Sequence, residues 1–111
     1  MLVELDVFSG RPNPRWELDE QSSHEVRLLE RRLVPARQAA PEPPGLGYRG
    51  FVLSDARGHV RAYRGYVKTP RTVLEDPSLS VEKYLLEQLP AEHAEWRNRL
   101  AAELTPKESD C

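Results

Sequence analysis

Between positions 2 and 8 the chain alternates. Val3, Leu5 and Val7 fall on one face, and Leu2, Glu4, Asp6 and Phe8 fall on the other. A period of two with β-branched residues predicts a strand with one buried face. From Asp19 the period changes. Asp19 or Ser22 can cap a helix, Ser22 and Glu25 have capping-box spacing, and Val26, Leu29 and Leu33 share a helical face until Pro35 ends it. Segments 48–54 and 60–68 read as two strands, with Phe51 and Leu53 on one face of the first. In the second, Tyr63 and Val67 alternate with Ala62, Arg64 and Tyr66. Asp55-Ala56-Arg57-Gly58 joins them, with Asp first and Gly fourth as a type I turn prefers. Gly50 and Gly65 inside these strands imply a bulge or a close backbone approach. Asp76-Pro77 or Ser80 starts a second helix striped by Val81, Tyr84, Leu85 and Leu89 up to Pro90. A last helix over 91–104 sets Trp96, Leu100 and Leu104 on one face.

These elements sum to β-α-β-β-α-α. They predict a single small α+β domain over residues 1–104, a three-stranded antiparallel or mixed sheet with the helices packed on one face. The 111 residues suffice for one modest core. Segment 35–47, with four prolines and two glycines, reads as a loop, and 105–111 as a flexible polar tail. Three strands leave two edges, so pairing with a second copy is open.

The most chemically specific stretch is Phe8-Ser9-Gly10-Arg11-Pro12-Asn13-Pro14-Arg15-Trp16. Pro12 and Pro14 fix their own φ and push Arg11 and Asn13 toward extended geometry, so the loop is expected to be stiff. A stiff loop loses little entropy on gripping a ligand. Ser9, Arg11, Asn13 and Arg15 supply donors beside Trp16, and two guanidinium forks suit a carboxylate or phosphate. These five residues are the candidate ligand-binding set. The competing reading pairs the arginines with Glu4, Asp6, Glu17 or Asp19 and makes Trp16 a core anchor.

From Val3 to Trp16, and again at Leu46-Gly47-Tyr48-Arg49-Gly50-Phe51, the chain resembles a group of small uncharacterised bacterial proteins. Their N-terminal strand is followed by Phe-Ser-Gly-Arg-Pro-Asn-Pro-x-Trp. The resemblance implies a shared fold and transfers no chemistry.

Charge adds a second feature. The net charge is −2, yet residues 48–72 hold six basic and one acidic side chain, whereas 73–111 hold four basic and nine acidic ones. Arg49, Arg61, Tyr63, Arg64, Tyr66 and Lys68 make the hairpin a candidate partner-binding surface. Basic strands with interleaved aromatics can also track nucleic acid, although a sequence pI near 5.9 is low for a dedicated nucleic-acid domain. No apolar run approaches a membrane span and no signal-peptide layout is present, so a cytoplasmic protein is expected.

Catalytic chemistry finds little footing. Cys111 is the only cysteine, and Glu108 and Asp110 beside it oppose a lowered thiol pKa. The histidines at 24, 59 and 93 are scattered, His24 and His59 at exposed positions, and nothing has metal-ligand spacing. Neither metal nor cofactor is expected. Glu4 and Asp6 read better as counter-ions than as an acid/base pair. The features converge on a non-enzymatic binding or accessory module that recognises a protein or acidic peptide partner through the Arg-bearing loop and the basic hairpin. The alternatives are a small enzyme or enzyme subunit holding an anionic substrate at 9–16, and a nucleic-acid-binding hairpin.

Overall fold

The computed structural model describes residues 1–8, 12–43, 45, 47–56, 58–101 and 104. Seven strands form one antiparallel sheet: β1 (Leu2–Phe8), β2 (Arg15–Glu17), β3 (Val34–Pro35), β4 (Gly47–Asp55), β5 (Gly58–Tyr63), β6 (Tyr66–Lys68) and β7 (Val73–Glu75). Their order across the sheet is β2-β1-β4-β5-β6-β7-β3. The helices are α1 (Glu20–Arg31), α2 (Ser80–Glu87) and α3 (Glu95–Ala101), with a 3-10 turn at Ala91–His93. The α+β class stands, but the expected three-stranded sheet and β-α-β-β-α-α order do not.

Four short strands account for the difference. The segment 60–68, expected as one strand, folds back on itself at Arg64-Gly65, so Tyr63 pairs with Tyr66 and Arg61 with Lys68. Both turn residues have positive φ, 46° and 87°, the requirement of a two-residue type I′ hairpin. A side chain at Gly65 would stand 3.3 Å from the Asp76 carbonyl oxygen and from Leu79, so this turn is packed as well as twisted. The chain then adds β7 beside β6, and Val34–Pro35, expected at a helix end, pairs with β7. Arg15–Glu17 returns antiparallel on β1.

The alternation of β1 gives the sheet its two faces. Val3, Leu5 and Val7 are buried with Phe51, Leu53, Val60, Ala62 and Val67, and Val26 of α1 and Val81 and Leu85 of α2 close this core. Burying a large aliphatic or aromatic side chain stabilises by about 1.5–3 kcal/mol, so this layer dominates the fold. Asp19 caps α1 by accepting from the Ser22 amide at 2.7 Å. Asp76 organises the start of α2, with Oδ1 accepting from the Ser80 amide and hydroxyl and Oδ2 from the Val81 amide.

The other face of the sheet carries Glu4, Asp6, Val52, Arg61 and Lys68. Here β4 bulges: Leu5 pairs with Phe51 and Val7 with Tyr48, leaving Arg49 and Gly50 opposite Asp6 alone. Gly50 has φ 96°, and a Cβ on it would lie 2.4 Å from the Ala62 carbonyl oxygen. Only glycine fits the bulge. No described helix is long and apolar enough to cross a membrane.

Candidate functional site

The organising loop reaches the outer face through Asn13. Its Oδ1 accepts from the Val7 amide at 3.1 Å, while Nδ2 donates to Glu4 Oε2 at 2.7 Å and Asp6 Oδ1 at 3.3 Å. The Leu5 amide donates to the Pro14 carbonyl. Beyond the short β2, the loop's carbonyl and amide groups thus continue the ladder along the open edge of β1 and hold two carboxylates apart. Ser9 and Arg11 lie outside the described residues, as do Arg57 and the 105–111 tail with Cys111.

Arg15 is turned onto Glu4, Nε to Oε1 at 3.3 Å, and two-thirds of its side chain is exposed. An ion pair this open contributes little to stability. Trp16 is half-buried edge-on against Phe51, ring centres 6.5 Å apart. Its Nε1 is buried without a hydrogen-bond partner. Of the five residues predicted as a ligand set, Asn13, Arg15 and Trp16 therefore engage β1 and β4.

The hairpin residues form the second half of the site. Asp6, 9 % exposed, receives Arg61 Nη1 at 2.8 Å, and the same nitrogen donates to the Arg49 carbonyl at 2.6 Å. The Arg49 guanidinium stands 4.0 Å from Asp6. Arg61 is thus fixed at one nitrogen, and its Nε and Nη2 have no partner among the described residues. Across the ladder its registered neighbour is Lys68, and no described carboxylate pairs with that ammonium. Like charges directly opposite each other destabilise a sheet.

At the end of this surface, Tyr63 is 6 % exposed and its ring is covered by Tyr48, 5.7 Å between centres, and by the Arg64 guanidinium. Arg64 Nε also donates to the Tyr63 hydroxyl at 3.1 Å. The Tyr66 hydroxyl accepts from Gln38. Between Arg61, Tyr63, Tyr66 and Lys68 and the loop at Ala40–Pro43 lies a cleft of about 100 Å³ that also includes Glu42. At the opposite end, Val52, His59, Arg61, Lys68, Thr69 and Pro70 line a shallow trough of about 300 Å³. The structure thus brings Arg49, Arg61, Tyr63, Tyr66 and Lys68 together on one surface, while Arg64 sits at the turn beside it.

Two features escaped sequence reasoning. Ser54 and His59 are registered across β4 and β5, Ser54 Oγ to His59 Nδ1 at 2.9 Å. Glu82 is 1 % exposed on α2 and accepts from the Tyr48 hydroxyl at 2.5 Å and from the successive amides of Arg64 and Gly65 at 2.9 Å each. Burial pushes the Glu82 carboxyl above its ordinary value, against the pull of these hydrogen bonds, and burial beside Glu82 raises the Tyr48 phenol strongly. The signal was present: Glu82 lies three, four and seven residues before Leu85, Leu86 and Leu89, on the face that α2 buries.

Among the described residues no cluster of three or more His, Cys, Asp or Glu is placed to hold a metal ion. Comparison with protein-family models, curated proteins and solved structures finds no match to this chain.

Proposed function

We propose that this chain is a non-enzymatic, cytoplasmic binding or accessory module that takes an acidic protein or peptide partner on the outer face of its sheet. The observation that carries the reading is the registered Arg61–Lys68 pair: two cations held opposite each other, only one of them answered by a described carboxylate. A partner carboxylate relieves the repulsion, so binding gains what folding gives up. The loop at 9–16 contributes through Asn13 and Arg15, which hold Glu4 and Asp6 and so set the Arg61 guanidinium. Nucleic acid is disfavoured as the partner because Tyr63 is covered on the protein side and offers no open ring for stacking.

The test is fluorescence anisotropy of a labelled peptide of alternating Glu and Ala, titrated with wild type and Lys68→Glu. Binding in wild type that is screened by salt and abolished in the variant is expected. Equal binding to both proteins, or tighter binding of a single-stranded oligonucleotide at the same ionic strength, sinks the proposal.

A further inference from the structure

We infer that the trough where His59, Arg61 and Lys68 meet is the seat of a phosphate group carried by the partner; this rests on the binding reading above and narrows it. His59 and Arg61 are two residues apart on β5 and so project from the same face, and Lys68 stands opposite Arg61 on β6. All three line the same hollow of about 300 Å³, and none of the residues lining it is acidic. The smaller cleft shares Arg61 and Lys68 with the trough but has Glu42 in its wall and lacks His59.

Two of the three donors are held in place from behind. Ser54 Oγ meets His59 Nδ1 at 2.9 Å; in the tautomer where Ser54 donates, the ring proton sits on Nε2, which has no partner among the described residues. Asp6 and the Arg49 carbonyl hold Arg61 by Nη1 and leave Nε and Nη2 for a bidentate contact. Thr69 also lines the hollow but is spent locally, its hydroxyl accepting from the Arg71 and Thr72 amides and donating to the Thr72 carbonyl. It shapes the wall and does not bind.

Three separate donor groups line one hollow, and a carboxylate, which can accept from three donors as Glu82 does, has only two oxygens to share among them. Arg61 alone can occupy both oxygens of a carboxylate. A phosphomonoester has three terminal oxygens and close to two negative charges at neutral pH, enough for Arg61, Lys68 and His59 together. A second open hollow of about 420 Å³, bounded by Val60, Thr69, Pro70 and Arg71, adjoins the trough and leaves room for the chain that carries the phosphate.

The experiment titrates ¹⁵N-labelled protein with a short capped peptide bearing phosphoserine, its Ser and Glu counterparts, and inorganic phosphate, at one pH and salt concentration. The phosphopeptide is expected to shift the amides of residues 59–61, 68 and 69 and to bind about tenfold tighter than the Glu peptide. Lys68→Gln and His59→Gln, both at exposed positions, are each expected to weaken it severalfold. Equal binding of the Glu and phosphoserine peptides, with the loss in Lys68→Gln retained, overturns the phosphate inference and leaves the acidic-partner reading standing. Inorganic phosphate binding as tightly as the phosphopeptide assigns the trough to a free anion and overturns a partner-borne one. Shifts centred on Asn13 and Arg15 place the site elsewhere and overturn the inference. No shift with any probe removes both readings.

Discussion

Asp6 and Glu82 are both buried carboxylates, and the fold holds them in opposite ways. Asp6 lies on the outer face and is tied by a charged donor, Arg61, together with the Asn13 amide. Glu82 lies under the Arg64-Gly65 turn and is tied by three neutral donors, a phenol and two backbone amides. The first arrangement positions a cation at the surface with donors to spare. The second spends its capacity inside, pinning the β5–β6 turn to α2. On the proposed reading the difference separates a binding device from a folding device, although both are buried polar networks.

Glu82 should therefore be the residue whose loss costs most. Glu82→Ala leaves the buried Tyr48 hydroxyl and two part-buried turn amides without an acceptor, and the expected destabilisation is on the order of 3–5 kcal/mol by denaturant unfolding. Its pH dependence has a definite sign. The folded carboxyl is held above its ordinary 4.5 by burial, so the fold prefers the protonated form. That contribution is complete below the unfolded value and is lost as pH rises through the folded one. Against Glu82→Gln, which does not titrate, the stability advantage of the wild type should shrink as pH rises above the ordinary carboxylate range. An advantage that grows would mean that the hydrogen bonds outweigh desolvation.

Asn13→Ala sharpens the contrast from the other side. It removes the acceptor for the Val7 amide and the brace between Glu4 and Asp6, with an expected cost of about 1–2 kcal/mol. Because Asp6 fixes Arg61, the same substitution should weaken binding of the acidic peptide beyond what the stability loss explains. Unchanged affinity in a protein still fully folded would show that the loop plays no part in setting the outer face.

The elements that could be read from the chain were those with a local cause. The alternation at 2–8, the Asp19 cap and the hairpin that pairs Asp55 with Gly58 all lie in short windows of sequence. So does the expectation that Glu4 and Asp6 serve as counter-ions, since the choices were few: Arg15 takes Glu4 and the hairpin's Arg61 takes Asp6. What could not be read depended on partners far along the chain. Arg64-Gly65 lacks the Asn-Gly or Asp-Gly signature of a type I′ turn, and its amides are satisfied by Glu82, seventeen or eighteen positions away. A strand of two or three residues, such as Val34–Pro35 or Val73–Glu75, has too few positions to show a period. With the reversal at Arg64 unread, β6, β7 and β3 had no template. The cationic pair was hidden with it, because Arg61 faces Lys68 only once the chain turns there.

Lys68 carries the smallest expected effect on stability. Lys68→Gln removes a cation directly opposite Arg61 and leaves Asp6, Asn13 and the core untouched. Relief of the like-charge pair is worth about 0.2–1 kcal/mol, set against the loss of an apolar stem on the strand. The variant should accordingly unfold at the wild-type midpoint or slightly above it, while losing affinity for acidic peptide. A side chain whose removal leaves the fold unharmed but weakens the complex is retained for the partner. If Lys68→Gln instead unfolds more easily, Lys68 belongs with Glu82 among the folding devices, and the contrast between the two carboxylates loses its functional half.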